Sequence, residues 1–371
     1  MSDIDNVFRH KAERRATQDG VFSADEVGLA NRNHGALLET LKLDITPTGA
    51  HYLLTHFDVP LLEADSHILR FHGAFSKPYS LDMAQIRALP PVTMPVTLEC
   101  AGNGRTQMSP RSFSMPWTYE AVGTSEWTGT PLRPLIERAG PLPEAIEVSF
   151  TAADFGFDKG HAHAFGRSLT LQQLADLDVL LVYEMNGQPL LPQHGAPLRL
   201  IVPGWYGMAS VKWLTDVEAL TSPYQGFQQV GTYRFRQTPD EPGHPVTTIR
   251  VKSLMVPPGV PDWVSRKRFV TPGVVPVQGR AWSGAGVPVE RVEVGIDDYW
   301  HDADLGAQVG PYAWRAWRFD WQATAGAHVL RCRATDANGA VQPLDPVWDL
   351  AGFANNVVHR VEVFVGDYPE L

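Results

Sequence analysis

Cysteine is scarce in this chain. Its 371 residues contain two, Cys100 and Cys332. So few cysteines exclude a disulfide framework and a cysteine-rich zinc site. The two could pair in principle, but they fall in different predicted domains, which argues against a bond between them.

Positive charge and long apolar runs are also scarce. Lysine and arginine total 31 against 41 acidic residues, a formal net charge of -10. This balance argues against binding to nucleic acid or anionic lipid. No segment approaches the roughly 20 apolar residues that a membrane helix needs. Arg14-Arg15 is followed by polar residues rather than an apolar stretch, so we find no recognisable signal peptide and expect a cytoplasmic protein.

The order of predicted elements indicates an α+β fold. Short apolar runs alternate with helical patterns in the first two thirds of the chain, including a helix over 81–89 capped by Ser80. A turn-rich linker follows at 237–243. Beyond it, strand patterns recur without helices, which is typical of an antiparallel β-sandwich of immunoglobulin type.

One loop contains the strongest candidate for a metal-binding residue. Residues 97–105, TLECAGNGR, place Cys100 at the end of an apolar run, before small residues and Arg105. A thiolate there can bind a soft metal, and glycines let backbone N–H groups approach an anion. A lone cysteine is more often an inert core residue, so a role for Cys100 in metal binding depends on motifs elsewhere in the chain.

Such motifs occur in a fixed order. They are TPTGAHYLLTHFDVP at 46–60, Asp154 after an apolar strand, QHGAPLR at 193–199, SVKWL at 210–214 and YQGF at 224–227. With the cysteine loop, this order resembles the sulfite oxidase family of molybdopterin-dependent oxidoreductases, of the bacterial type without a haem domain.

The resemblance covers nearly the whole chain and implies its domain organisation. An N-terminal extension (1–45) precedes a molybdopterin-binding catalytic domain with mixed sheets (46–240). An immunoglobulin-like dimerisation domain (241–371) follows. The implied partners are a second copy of the chain, as a homodimer, and a separate electron-transfer protein such as a cytochrome.

The resemblance also implies the roles of individual residues. Molybdenum, held by molybdopterin, would take Cys100 as its protein ligand. Tyr224 would hydrogen-bond the substrate, and Arg105 and Trp127 would line the mouth of the pocket. The remaining implied cofactor contacts are Tyr52, Leu53, Leu54, Thr55, His56, Asp154, His194, Arg199, Ser210, Val211 and Lys212. Of these, the donors His194, Arg199 and Lys212 suit the cofactor phosphate.

The substrate site departs from the family pattern. Leu54 stands where the family has a substrate arginine, and the second such position falls near Gly310, with Arg315 and Arg318 close by. Sulfite is best held by fixed positive charge, preferably bidentate arginine, although Arg105 could compensate. We expect oxygen-atom transfer from sulfite to sulfate. The alternatives are a reductase of a neutral S-oxide or N-oxide and a non-catalytic binding protein.

Other candidate motifs have plainer interpretations. The triplet Arg32-Asn33-His34 imitates the Arg-Asn-His of sulfite oxidases but precedes the matching loop, so it is a chance likeness or part of an N-terminal wrap. His161 and His163 share a strand face without an identifiable third metal ligand. The tryptophans of the C-terminal half are expected to be sandwich core and interface.

Overall fold

The computed structural model describes residues 22–368, so Arg14-Arg15 lie outside it. The described part of the chain contains four α-helices: α1 (Ala24–Arg32), α2 (Met83–Arg87), α3 (Arg133–Ala139) and α4 (Leu171–Asp176). Between Phe22 and Tyr368, none of the helices has the length and apolar character needed to cross a membrane.

Ten strands build the larger part of the catalytic half. They are β1 (Ile68–Gly73), β2 (Tyr79–Asp82), β3 (Val92–Glu99), β4 (Val122–Pro131), β5 (Glu147–Asp158), β6 (His161–Thr170), β7 (Leu180–Met185), β8 (Gln188–Pro189), β9 (Arg199–Ile201) and β10 (Leu214–Leu220). One sheet has the order β2-β1-β10-β5-β6, with β1 and β10 parallel. In the other, β3, β4 and β7 run side by side and β7 also pairs with β8 and β9. The predicted mixed sheets are present.

Local sequence explains where the helices begin and end. Ser23 and Glu26 form a capping box at the start of α1, and Asp82 and Gln85 form one at α2. The prediction of Ser80 as the cap of the second helix was therefore wrong, because Ser80 is a strand residue. Gly140, with φ +66°, ends α3 in the left-handed conformation that glycine adopts without strain.

The linker and the sandwich supply the remaining strands. They are β11 (Arg234–Phe235), β12 (His244–Pro245), β13 (Lys252–Val256), β14 (Val260–Pro261), β15 (Arg268–Val270), β16 (Gly273–Trp282), β17 (Val289–Ile296), β18 (Tyr299–Asp302), β19 (Asp304–Gln308), β20 (Arg315–Ala323), β21 (Gly326–Asp336) and β22 (His359–Val365). Sheets of order β13-β16-β20-β19 and β14-β15-β22-β21-β17-β18 share one apolar core. The sandwich is not wholly antiparallel, since β15 runs parallel to β22.

The core of this sandwich contains Trp317, Trp321 and Cys332, each at most 2% exposed. Cys332 and Cys100 are both free thiols, as their separate domains predicted. Trp282 and Trp314 are also buried, but they belong to the large core of the catalytic half. These four tryptophans therefore pack both within the sandwich and at its boundary with the catalytic half.

The N-terminal extension wraps around both halves. His34 and Leu53 exchange two backbone hydrogen bonds, of 3.2 and 2.8 Å. On the other side, Arg280 of the sandwich donates to the carbonyl oxygens of Leu41 and Lys42, each at 2.8 Å. The extension thus joins the first motif loop to the C-terminal domain.

Candidate active site

One cleft gathers most of the predicted site residues. Its volume is about 690 Å³ including the open mouth, a size that suits a small-molecule cofactor. The predicted residues that line it are Tyr52, Leu53, Leu54, His56, Cys100, Asp154, His194, Arg199, Ser210 and Lys212.

Cys100 reaches the cleft because β3 stops one residue before it. Its backbone N–H donates to the carbonyl oxygen of Ala121, and its own carbonyl accepts from Asn103, which closes a tight turn. Gly104 follows with φ +87°, a conformation that side-chain-bearing residues rarely adopt. Burial raises the pKa of the Cys100 thiol, and the nearby Arg105 opposes this rise.

The turn is held from behind by the C-terminal domain. The Glu99 carboxylate, which precedes Cys100, pairs with Lys252 Nζ at 2.8 Å and accepts from Trp282 Nε1 at 2.9 Å. Lys252 also donates to the carbonyl oxygen of Asn355, whose side chain donates to that of Gly104. Each end of the cysteine turn is therefore tied to the sandwich.

Fixed cations form one wall of the cleft. The Arg199 guanidinium donates to the carbonyl oxygens of His194 and Ser210 and lies over the Trp127 ring. Lys212 Nζ donates to the carbonyl oxygen of Leu54 at 3.0 Å. Burial lowers the pKa of Arg199 to about 10 and that of Lys212 to about 7. An anion bound here would offset that desolvation.

A glycine brings these cations together. Gly195 has φ +105°, and a Cβ there would come within 3.0 Å of Lys212 and 3.1 Å of Arg199. The turn after His194 therefore packs directly on both side chains. The His194 ring meets the His51 ring edge-on, with 5.9 Å between centroids. Burial lowers the pKa of His51 to about 4 and that of His194 to about 3, so both rings are neutral at pH 7.

Three buried polar atoms of the cleft residues lack a partner within the described chain. They are His51 Nε2, Asp154 Oδ1 and Arg199 Nε. Unpaired buried groups of this kind cost free energy and call for a ligand. Molybdopterin carries pterin N–H groups that suit Asp154, a phosphate that suits Arg199 and Lys212, and a metal that suits the Cys100 thiolate. The residues present fit this cofactor.

A tyrosine also enters the cleft. The Tyr233 hydroxyl and Nε2 of His56 share a hydrogen bond of 2.7 Å. The Tyr233 ring stacks on Phe353 of the C-terminal part at 5.0 Å. Burial raises the pKa of the Tyr233 hydroxyl, so it stays protonated at neutral pH. Burial lowers the pKa of His56 to about 3, with Lys212 adding to the effect.

Two family models match the chain in this same order. Residues 56–228 match the oxidoreductase molybdopterin binding domain, and residues 244–366 match the Mo-co oxidoreductase dimerisation domain. Sulfite oxidase from Gallus gallus is 33% identical in an alignment 347 residues long, which covers 85% of this chain and 72% of that protein. The chain belongs to the sulfite oxidase family of molybdopterin-dependent oxidoreductases.

Other relatives are longer. The chain spans 62% of the mitochondrial sulfite oxidase of Macaca fascicularis, to which it is 33% identical over 86% of its own length. It spans 38% of an NADH nitrate reductase of Oryza sativa, at 29% identity. Among solved structures, the sulfane dehydrogenase SoxCD of Paracoccus pantotrophus superposes with a TM-score of 0.78. That match covers 97% of this chain and 92% of the other at 23% identity, which shows the shared fold.

Tyr224, the predicted site tyrosine, is not among the residues that line the cleft, so its role stays a prediction. Its backbone N–H donates to Glu147, and its hydroxyl packs against Gly166, where a Cβ would collide with it. Tyr233, nine residues later, is the tyrosine in the cleft. A π-helical turn, Gln228–Thr232, lies between the two and delivers the second tyrosine to the site.

Four further predicted residues have side chains outside the set that lines the cleft. The Arg105 guanidinium is buried and donates to the carbonyl oxygens of Met115 and Ala351, so it braces the cysteine turn. Trp127 is fully buried under Arg199 rather than at the mouth. Val211 is also a core residue. Thr55 is buried with its N–H donating to Asn33 Oδ1 at 2.7 Å.

The hydrogen bond between Thr55 and Asn33 also decides between the two interpretations of the triplet 32–34. The triplet is part of an N-terminal wrap that lies against the first motif loop. Within the same loop, Leu54 lines the cleft as predicted. Arg315 and Arg318 do not supply the missing charge, since Arg315 donates to the Gly306 carbonyl and Arg318 pairs with Asp320.

His161 and His163 do not form a metal centre in the described chain. Both rings pack on Phe227, and His163 contacts the Gln228 side chain at 2.9 Å. Residues 22–368 contain no group of three or more histidine, cysteine or acidic side chains placed to hold a metal ion. Their place on a polar strand face agrees with the plainer interpretation.

Sequence reasoning missed His51 and Tyr233 as cleft residues. His51 stood inside the first motif, directly before Tyr52, so the motif already pointed to it. Tyr233 had no comparable signal, because two tyrosines lie near the linker and only the backbone path between them decides which one enters the cleft.

Proposed function

We propose that this molybdenum oxidoreductase oxidises sulfite to sulfate and passes two electrons to a separate acceptor. Written in full, sulfite and water give sulfate, two protons and two electrons. The observation that carries the proposal is the Cys100 thiol in a cleft whose unpaired polar atoms and cations match molybdopterin.

The chain's own residues would divide the work. Cys100 would hold the metal, Arg199 and Lys212 the cofactor phosphate, and Asp154 and His51 the polar edges of the pterin. The bound cofactor supplies oxygen-atom transfer. The Tyr233 hydroxyl, held by His56, would hydrogen-bond the substrate beside the metal.

The test is sulfite-dependent reduction of ferricyanide by protein shown to contain molybdenum. We expect saturable turnover that a Cys100→Ser variant loses, while a Cys332→Ser variant, altered at the other buried thiol, keeps it. A molybdenum-loaded protein without sulfite turnover would contradict the proposal.

Leu54 favours a second candidate, because an apolar side chain in the cleft suits a neutral substrate. In that case the enzyme would reduce an S-oxide or N-oxide with electrons from a donor. Oxidation of a reduced viologen dye by dimethyl sulfoxide or trimethylamine N-oxide, with no sulfite turnover, would identify this activity.

We also propose two partners. A homodimer is supported by the match of residues 244–366 to a dimerisation domain. Light scattering should then give twice the chain mass of 41.0 kDa; a monomer mass at micromolar concentration would contradict it. A cytochrome is the proposed electron acceptor, since sulfite oxidation releases two electrons that another redox centre must take up.

A further inference from the structure

Arg167 is a buried arginine beside the cleft and outside the set of proposed cofactor contacts. It lies on β6 and is 4% exposed. Phe165, two residues earlier, lines the cleft, and side chains two apart in a strand share a face, so Arg167 lies on that face as well. Within residues 22–368, no acidic side chain forms an ion pair with Arg167.

The surroundings of Arg167 give it little value for stability. Its Nε atom is buried and has no hydrogen-bond partner within the described residues. Burial lowers the pKa of Arg167 to about 10, so the guanidinium stays charged at neutral pH although it is shielded from water. A buried charge without a counter-ion lowers the free energy of unfolding. A side chain kept at this cost points to a role in the site.

The contacts of Arg167 are with the segment that brings Tyr233 into the cleft. The guanidinium donates to the carbonyl oxygen of Gln228, the first residue of the π-helical turn Gln228–Thr232. It also lies over the Tyr233 ring, with 5.6 Å between the guanidinium carbon and the ring centroid. One side chain therefore holds both the start of the turn and the aromatic ring that directly follows it.

The neighbours of Arg167 on β6 support the same segment. Gly166 leaves room for the Tyr224 hydroxyl, because a Cβ at this position would collide with it. The Ser168 N–H donates to the Gln229 side chain at 3.0 Å, and that side chain donates back to the Ser168 hydroxyl at 2.6 Å. Three consecutive residues of β6 thus hold the segment that joins the two tyrosines, with Arg167 in the middle.

We propose that Arg167 is a positioning residue for Tyr233: it holds the π-helical turn and the aromatic ring, and so keeps the Tyr233 hydroxyl on His56 and directed at the substrate. The inference rests on the proposed function where it assigns the hydroxyl a role toward sulfite. The placement of Tyr233 beside His56 is independent of which substrate is used. The bond to Gln228 selects one path for the chain between the two tyrosines.

The first test is structural and does not depend on activity. Crystal structures of the wild type and of Arg167→Met would be compared at the contact between the Tyr233 hydroxyl and His56 Nε2, which measures 2.7 Å. Methionine is of similar length and uncharged, so the fold should tolerate it. We expect the contact to be lost, or the Tyr233 side chain to occupy more than one position.

Arg268→Met is the matched control for this comparison. Arg268 is also a buried arginine that donates to backbone carbonyl oxygens, but it lies in the sandwich, on β15. The contact between Tyr233 and His56 should remain in Arg268→Met.

Steady-state kinetics on molybdenum-loaded protein would measure the consequence for turnover. Arg167→Met should lower kcat for sulfite about tenfold with little change in KM, because the lost interaction is made in the transition state. In a Tyr233→Phe background the same substitution should change kcat by less than about twofold, since no hydroxyl is left to position. Arg167→Lys should recover part of the rate, because an ammonium group also donates to a carbonyl oxygen. Arg268→Met should keep the wild-type kcat.

The outcomes separate the two proposals. An unchanged contact between Tyr233 and His56 in Arg167→Met would overturn this inference, whatever the wild type does with sulfite. An equal loss of kcat in the Tyr233→Phe background would also overturn it, as would a raised KM at constant kcat, which marks direct binding of the substrate. If the contact is lost but the loaded wild type does not oxidise sulfite, the proposed function fails and the placement of Tyr233 by Arg167 stands.

Discussion

At the scale of single residues, the contact between Tyr233 and His56 is the most direct link between the linker region and the cleft. The two side chains are separated by 177 residues in the chain and by 2.7 Å in space. The neutral imidazole orients the phenol hydroxyl, and the stacked Phe353 ring fixes its plane. The hydroxyl is thereby held in one position before any substrate arrives.

Replacement of Tyr233 by phenylalanine should therefore lower kcat/KM for sulfite on the order of tenfold to a hundredfold, since one oriented hydrogen bond is lost. Steady-state kinetics with matched molybdenum content would measure it. Tyr224→Phe is the control and should stay within about twofold of wild type. A larger loss of kcat/KM in Tyr224→Phe than in Tyr233→Phe would show that Tyr224 is the catalytic tyrosine.

The buried amine of Lys212 leads to a prediction about how cofactor affinity depends on pH. Burial lowers its pKa to about 7, and a bound phosphate would raise it again, so cofactor binding would take up a proton. The affinity should thus be full below pH 7 and fall by up to about tenfold per unit as the pH rises above 7, until the pKa of the bound form is reached.

Anaerobic loading of the apo-protein between pH 6 and 9, followed by metal analysis, would measure this fall. Lys212→Arg should show a much flatter profile because arginine stays charged throughout this range. His51 and His194, whose pKa values are lowered to about 4 and about 3, are neutral across this range and do not imitate the effect. If cofactor loading of Lys212→Arg fell with pH as steeply as that of the wild type, deprotonation of Lys212 would not be the cause of the fall.

The residue types of the site could largely be predicted, because thiol, carboxylate and cation motifs kept a fixed order. The direction in which each side chain points could not be predicted. Arg105 and Tyr224 occupy the predicted positions along the chain, yet the Arg105 guanidinium donates to the carbonyl oxygens of Met115 and Ala351, and the Tyr224 hydroxyl packs against Gly166. Such contacts depend on the fold, which local sequence patterns do not contain.

At the scale of elements, α1 could have been predicted from its capping box, because Ser23 followed by Glu26 three residues later marks a helix start. The helix is mostly polar, so its composition gave no periodic apolar pattern beside the capping box. At the C-terminal end of the helix, Asn33 and His34 attach it to the cleft loop. Strand β16 (Gly273–Trp282) illustrates the successes, since it is one of the strands that the pattern beyond the linker predicted.

The ion pair between Glu99 and Lys252 gives a prediction at the same scale. Both side chains are 2% exposed, so Lys252→Met would leave a buried carboxylate without its cation. We expect a loss of about 3–5 kcal/mol in the free energy of unfolding, with a lower molybdenum content. Denaturant titration and metal analysis would measure the two effects.

Lys267→Met is the control for this prediction. Its pair with Glu362 is about half exposed and should contribute less than about 1 kcal/mol. The double variant Glu99→Gln with Lys252→Met should recover part of the stability, because no buried charge is left unpaired. If Lys252→Met and Lys267→Met lost the same free energy of unfolding, the buried pair would contribute no more to stability than the exposed one.

At the scale of the whole molecule, the two-part architecture followed from the change in element pattern near the linker. The N-terminal extension was the harder part, since its contacts with both halves have no counterpart in local periodicity. The expected cytoplasmic location stays a prediction, as does the absence of nucleic-acid and membrane partners.

The net charge of -10 leads to a prediction about electron acceptors. A basic cytochrome should be attracted, so its rate of reduction should fall as salt rises. Ferricyanide is an anion and should be repelled, so its rate should rise over the same range. Stopped-flow measurements between roughly 10 and 300 mM salt would show the two slopes, and slopes of the same sign would contradict an electrostatic origin.

The ties behind the cysteine turn also set an order of events in biosynthesis. Ala354 donates to the carbonyl oxygen of Ala101, and Asn355 to that of Gly104. Residues 354 and 355 must therefore be synthesised before these two hydrogen bonds can form. A cofactor that entered the cleft earlier would meet a cysteine turn without this support, so we expect stable cofactor binding only after the C-terminal domain has been translated and folded.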